Sequence, residues 1–498
     1  MSSAARSAGT ASARLFNGLR LTGLVISGFL LGAGLVAVAA RFGDHAPLIV
    51  IAIPIVPLVL VSILLRPLVA APVVFASLAF GLVSIPVGPL NVQAQEAAVL
   101  IVAALVALRR VSEGDPPLSW DPHLIWAGAL TLWAVIALPS AADQQMAIKT
   151  VGSFAYAITF SCVVLATCDT MDDLRWILGV LLLVASAIVL PALQNADELR
   201  AAQSGGFIEG RAQGFFPSPN GLGGFSALAA LVGIGLTFAA RTVRGRVGAL
   251  LATMVLLAGL ILSLSRGAWL GMSVGLVLLV LALARVRRTL VVSAIPVLVI
   301  GLFGGAFAPS RPELQVIGQR VADIGVVKSY DDRPKLWAEA LRQIREDTWT
   351  GQGPGNFELA SRRQVSGSLS VSASHAHNQL LNTAAEIGVP GGLLLLGFAL
   401  ALAHATRDTL RRLPESGHHR DRALVAGMAA ALLARFTQGV VDEALGNPLT
   451  DAVIWGLVGG LLVAWRMTRQ RRDGRRTLTL ARRTPPGGGR PRTGARTS

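Results

Sequence analysis

Apolar runs recur along almost the whole chain, each followed by a short segment of charged residues or of proline and glycine. A helix that crosses a hydrocarbon core of about 30 Å needs roughly 17 to 25 such residues. The pattern predicts spans near 19–40, 47–65, 68–88, 92–108, 123–139, 150–168, 174–193, 221–240, 247–265, 267–284, 289–308, 379–404, 422–441 and 449–465. Pro72, Pro86 and Pro89 interrupt the third and fourth. The expectation is an all-α polytopic membrane protein with about 12–14 transmembrane helices.

The intervals between spans give the domain plan. Residues 1–18 form an N-terminal segment, 19–308 the first set of helices, 309–378 one large extracytoplasmic loop, 379–465 the last helices, and 466–498 a basic tail. The apolar run of the first span is longer than a signal-peptide core, so it is read as an uncleaved anchor. The tail is rich in Arg, Gly and Pro without apolar periodicity and is expected to be disordered. A loop of about seventy residues exceeds what a connector needs. Within it, RPKLWAEALRQIRED places Leu336, Trp337, Ala340, Leu341 and Ile344 at helical spacing, which predicts an amphipathic helix.

Composition agrees with the pattern. Of the 498 residues 53% are hydrophobic and 14% charged, against about a quarter charged in soluble domains, which excludes a soluble enzyme. The net charge of +16 would point to a polyanionic partner in a soluble chain. Here its placement sets orientation, because short cytoplasmic loops concentrate Lys and Arg. With the N-terminus inside, alternate connections carry Arg66, the Arg109–Arg110 pair, Arg175, Arg241, Arg244 and Arg246, Arg285, Arg287 and Arg288, and the arginines from Arg407 to Arg422. All fall on one side, so both termini are expected to be cytoplasmic. Cys162 and Cys168 share one apolar run and supply neither a disulfide framework nor a cysteine zinc site.

A few polar residues remain on the other side. Arg266, in SRGAWLG, stands at the junction of two apolar helices. It either snorkels to the headgroups or meets an anion. Arg211 opens RAQGFFPSPN, a shaped segment after which Pro219 and Asn220 begin a helix whose free N–H groups suit an anion. Arg333, in DDRPKLW, precedes the amphipathic helix, and the later GQGPGNF lacks the Lys and Ser/Thr of a phosphate loop and reads as a tight turn. In SHAHNQLLNTAAEIGVPG, Ser374 as N-cap would put His377 in the first helical turn and stack Asn378, Asn382 and Glu386 at spacing four. Histidine ordinarily titrates near neutrality and can take a proton from a hydroxyl; a surface histidine is the plain alternative. His375 and His377 lack a third ligand at zinc-motif spacing, so no metal is expected. Arg435 and Asp442, seven residues apart, are expected to pair on one helix face.

In order, RAQGFFPSPN, SRGAWLG, DDRPKLW with GQGPGNF, and SHAHNQLLNTAAEIGVPG resemble the O-antigen ligase and polymerase superfamily of bacterial membrane glycosyltransferases. The resemblance is clearest from about Arg211 to Gly391. It implies a GT-C-like helical fold in the bacterial cytoplasmic membrane, and transfer of a glycan from a polyprenyl (undecaprenyl) diphosphate donor to an acceptor hydroxyl on the outer face, without cofactor or metal. It implies His377 and Arg266 as catalytic, with Arg211, Arg333, Asn378, Asn220 and Glu386 around the diphosphate and substrates. The acceptor would be a glycan, lipid or protein, with membrane lipids as further partners and no nucleic acid. A polymerase that extends one lipid-linked glycan with another shares the chemistry. A secondary transporter would show two related halves with interrupted helices, and the sequence has no internal repeat.

Overall fold

The computed structural model describes residues 59–78, 84–87, 90–114, 121–194, 211–289, 333–365 and 375–483. The expected spans at 19–40 and, but for Thr289, 289–308, and most of 47–65 lie outside them, as do residues 1–18 and 484–498. The helices are α1 (Ala70–Ser77), α2 (Ala94–Glu113), α3 (Leu124–Ile136), α4 (Gln144–Thr167), α5 (Met171–Gln194), α6 (Pro219–Ala239), α7 (Val243–Leu262), α8 (Arg266–Ala282), α9 (Arg333–Glu346), α10 (Phe357–Val365), α11 (Gln379–Arg412), α12 (Glu415–Gln438) and α13 (Pro448–Arg483). Among the described residues, α4, α5, α6, α7, α11 and α13 each contain a stretch long and apolar enough to cross a membrane, with α3 and α8 shorter and apolar. The protein is therefore an all-α polytopic membrane protein. The amphipathic helix expected in the long loop is α9, and α13 continues past residue 465, where the basic tail was expected to begin.

One expected span is divided. In place of a helix over 68–88, α1 ends at Ser77, and β1 (Ser84–Val87) pairs antiparallel with β2 (Leu90–Gln93), Pro86 standing opposite Asn91. Proline cannot donate to a helix ladder, and Pro86 with Pro89 favours the hairpin over a continuous helix. The helix resumes at Ala94, where the Gln93 and Glu96 side chains form a reciprocal cap.

The centre of the bundle is α12, whose Ala423, Ala426, Ala430, Ala431 and Ala434 are buried. Helices in lipid gain little from hydrophobicity and associate through close packing of small residues. Gly427 of α12 meets Gly235 of α6 so closely that a Cβ on Gly235 would stand 2.7 Å from the Gly427 Cα. Along α8, Gly267, Gly271 and Gly275 recur at spacing four and face α12 in turn. A Cβ on Gly275 would lie 2.9 Å from the Ala430 carbonyl oxygen, one on Gly271 would overlap that of Ala434, and one on Gly267 would come within 3.2 Å of Val441. This ridge carries the start of α8, and with it Arg266, to the loop that follows α12.

The charged residues that the sequence assigns to one side meet at one end of the bundle. Arg175 pairs with Asp172 and with Asp421, Arg241 reaches Asp172 at 2.9 Å, and Arg422 Nε donates to the Ala282 carbonyl at 2.8 Å. At the same end, Trp465 Nε1 donates to Asp408 at 2.9 Å.

At the opposite end, α11 is interrupted where the long loop docks. Gly388 has φ 75°, a left-handed value that suits glycine, and a Cβ there would collide with the Trp349 carbonyl oxygen. The open turn exchanges its backbone groups with the loop: Gln352 N donates to the Ala385 carbonyl at 2.9 Å and Val389 N to that of Thr348 at 2.8 Å. Trp133 of α3 donates to the Ile387 carbonyl at 2.9 Å. The glycine motif before α10 is thus a tight turn wedged against α11.

Candidate active site

The site begins at the entry to α11. The N-cap is Asn378, whose Oδ1 accepts from Leu381 N at 3.1 Å and whose Nδ2 donates to the Val440 carbonyl at 3.0 Å. Ser374 was expected to cap, with His377 in the first turn. Asn378 takes that role instead because its side chain satisfies a free helix N–H, and His377 stands one residue outside the helix with φ 48°. Asn382 and Glu386 do stack, with Asn382 Nδ2 donating to Glu386 Oε1 at 3.1 Å, while Glu386 Oε2 accepts from Gly355 N at 3.0 Å. Glu386 therefore ties the glycine turn to α11. Asn382 Oδ1 accepts from Ala376 N at 3.0 Å, fixing the peptide between the two histidines.

The loop between α12 and α13 supplies the partner. His377 Nδ1 lies 3.0 Å from Asp442 Oδ1. His375 stands beside it, its ring centroid 4.2 Å from that of His377, with Nε2 3.8 Å from Asp442 Oδ1 and Nδ1 3.7 Å from Glu443 Oε2. Burial opposes charge on the Asp442 carboxyl, but bonds from His375 and His377 outweigh it and hold the group well below the usual carboxylate range. Burial alone would lower His375, yet the neighbouring Asp442 and Glu443 raise it above its ordinary value. Burial pushes Glu443 up, against the pull of His375 and Arg435.

The expected Arg435–Asp442 pair is not formed, because α12 ends at Gln438 and Asp442 lies beyond the helix. Arg435 is buried; its Nε donates to the Ala444 carbonyl at 2.9 Å, and a second nitrogen donates to Gln438 Oε1 at 2.9 Å. Gln379 Oε1 accepts from Ala444 N at 2.9 Å and from Leu445 N at 2.8 Å, and Gln379 N donates to the Gly439 carbonyl at 2.7 Å. Arg435 and Gln379 thus grip Ala444 from both sides and set the loop that carries Asp442.

Two helix starts complete this end. Arg211 Nε donates to the Ser263 carbonyl at 2.9 Å, and a terminal nitrogen donates to Asn220 Oδ1 at 2.8 Å. Asn220 sits in the first turn of α6, capped by Ser218 Oγ, and its carbonyl accepts from Gln438 Nε2 at 3.3 Å. Arg266 is the first residue of α8, after the Ser265 cap. Gln438 links the Arg211–Asn220 pair to Arg435, and Gly267 packs on Gln438 and Val441. The two cationic segments and the Asp442–His377 pair are therefore built on one framework. Arg333 begins α9, whose Ala340 and Ile344 pack with Ala376, Leu381 and Ala385 at the entry to α11.

Sequence reading missed Asp442 as the partner of His377, and Gln379 and Gln438 as supports. The signal for Gln379 was its place directly after HAHN, and for Gln438 its spacing of three from Arg435. Nothing local marks Asp442. A carboxylate that holds one ring nitrogen leaves the other to act on a hydroxyl, and guanidinium groups at helix starts suit a phosphate.

One segment of the chain, residues 249–396, matches the family model described as O-antigen ligase. It runs from α7 through Arg266, Arg333 and His377 into α11. A search of curated proteins finds no match.

Proposed function

From an O-antigen ligase domain at residues 249–396, we propose that the chain transfers a glycan from a polyprenyl diphosphate to an acceptor hydroxyl at the extracytoplasmic face of a bacterial cytoplasmic membrane, with both termini on the other side. The observation that carries this reading is the 3.0 Å contact between His377 Nδ1 and Asp442. The carboxylate accepts a hydrogen bond from Nδ1–H, which leaves the Nε2 lone pair as the base.

The hydroxyl proton passes to Nε2 as the acceptor oxygen bonds to the sugar carbon, and the bond from that carbon to the diphosphate oxygen breaks. The diphosphate departs with the electron pair. Arg266, Arg211 and Arg333 offset its charge, with Asn220 and Asn378 lining the approach and Glu386 holding the turn beside it. A diphosphate is already a competent leaving group, so positioning and charge compensation, worth several kcal/mol each, supply most of what the protein adds. No step uses a metal.

Incubating the purified protein with polyprenyl-diphosphate glycan and sizing the products tests the reading. Glycan joined to a second molecule identifies a ligase, and a ladder of lengthening lipid-linked chains identifies the polymerase form of the chemistry. Unreacted donor overturns both.

A further inference from the structure

His375, His377 and Asp442 each offer one metal-ligating atom, and these atoms lie within 4.8 Å of one another. His375 Nε2 and His377 Nδ1 lie 3.8 and 3.0 Å from the same carboxylate oxygen, Asp442 Oδ1. Zinc binds imidazole nitrogen at about 2.0–2.1 Å and carboxylate oxygen at about 2.0–2.2 Å, so the ligands of one ion stand roughly 3–4 Å apart. Both nitrogen–oxygen separations already fall in that range, so small side-chain rotations bring all three residues onto one ion. A histidine ligand ordinarily gives its other N–H to a carboxylate, and His375 Nδ1 already has Glu443 Oε2 at 3.7 Å. Two imidazoles and one carboxylate with an open fourth position make a recognised zinc set. The sequence hid it because the third ligand comes 65 residues later.

We propose that these three residues form an inhibitory zinc site, occupancy of which stops glycan transfer. The inhibition rests on the reading of His377 as base. A neutral imidazole has one lone pair. With Nδ1–H on Asp442 that pair is at Nε2, available to the acceptor; a zinc ion on Nδ1 takes the lone pair there and leaves the proton on Nε2. The ion also takes the carboxylate that positions the ring. Zinc and the acceptor proton thus compete for one imidazole.

The full-length protein, stripped with chelator and held in lipid nanodiscs, is titrated with Zn²⁺ against a chromophoric chelator, and transfer is assayed in parallel. Wild type is expected to bind one ion per chain, to lose at least about tenfold of its transfer rate when loaded, and to recover on chelation. His375→Ala is expected to bind zinc at least about tenfold more weakly, and its transfer, relative to its own zinc-free rate, to resist zinc correspondingly. Glu443→Gln keeps all three ligands and should weaken binding by about 10–100-fold. Zinc binding unchanged in both variants, or an occupied site with undiminished transfer, overturns the proposal. Failure of the base assignment is read separately, as zinc-free transfer by His377→Ala.

Discussion

Asp442 and His377 lie 65 positions apart in sequence, on different connections of the bundle, and meet at 3.0 Å. The pairing orients a histidine that stands just outside a helix at a left-handed backbone position, and an ionised Asp442 favours the tautomer with its proton on Nδ1. Asp442→Asn retains the shape and removes the charge, and it permits the wrong tautomer. Transfer is expected to fall by about 10²–10⁴-fold with little change in donor affinity. Steady-state kinetics in nanodiscs checks the split; a change confined to KM would assign Asp442 to substrate binding.

Gln379 acts one step further out. Its Oε1 accepts two backbone N–H groups, those of Ala444 and Leu445, and Ala444 is buried. Gln379→Ala leaves those donors without the acceptor, at a cost of about 1–3 kcal/mol. Transfer should drop and hydrogen exchange across residues 440–446 should rise together. Exchange unchanged from wild type would separate Gln379 from the loop.

The glycine ridge of α8 is testable by bulk. Gly271→Leu forces a side chain against the Ala434 carbonyl and is expected to destabilise by about 1–3 kcal/mol, as overpacking does. It also displaces Arg266. Gly248→Leu on α7, where an added Cβ meets nothing within 4 Å, is the control and should leave the unfolding midpoint in place. Equal midpoints for the two variants would refute the ridge.

Asp347 holds the turn that docks on α11, with Oδ1 accepting from Thr350 N at 2.9 Å and Oδ2 from the Thr350 hydroxyl at 2.9 Å. Burial opposes its charge, but these bonds prevail and lower its pKa. A depressed folded pKa means that the stabilisation is fully present above the unfolded value, about 3.9, and is lost as pH falls through the folded one. Hydrogen exchange at residues 348–353 should be faster in Asp347→Asn at pH 7, and the difference from wild type should shrink below about pH 4. A difference that persists at lower pH contradicts the assignment.

These residues also mark how far the chain could be read unaided. The spans, the amphipathic helix and the order of the four motifs depend on local periodicity and spacing, so Arg211, Arg266, Arg333 and His377 were identifiable as candidates. Pro86 and Pro89 sit in an apolar stretch whose hydropathy suits a span and whose backbone does not, and there the hairpin replaced a helix. Arg435 and Asp442 share a helical spacing that the end of α12 at Gln438 cancels. The Asp442–His377 contact has no local signature, because it joins the entry to α11 with the loop beyond α12, which Gln379 holds through Ala444 and Leu445.

The most direct test of the central claim is the transfer rate of chelator-treated His377→Ala, purified in nanodiscs and supplied with polyprenyl-diphosphate glycan and an acceptor. The account predicts a loss of at least about 100-fold, with donor binding and the unfolding midpoint retained. Transfer at the wild-type rate would contradict it.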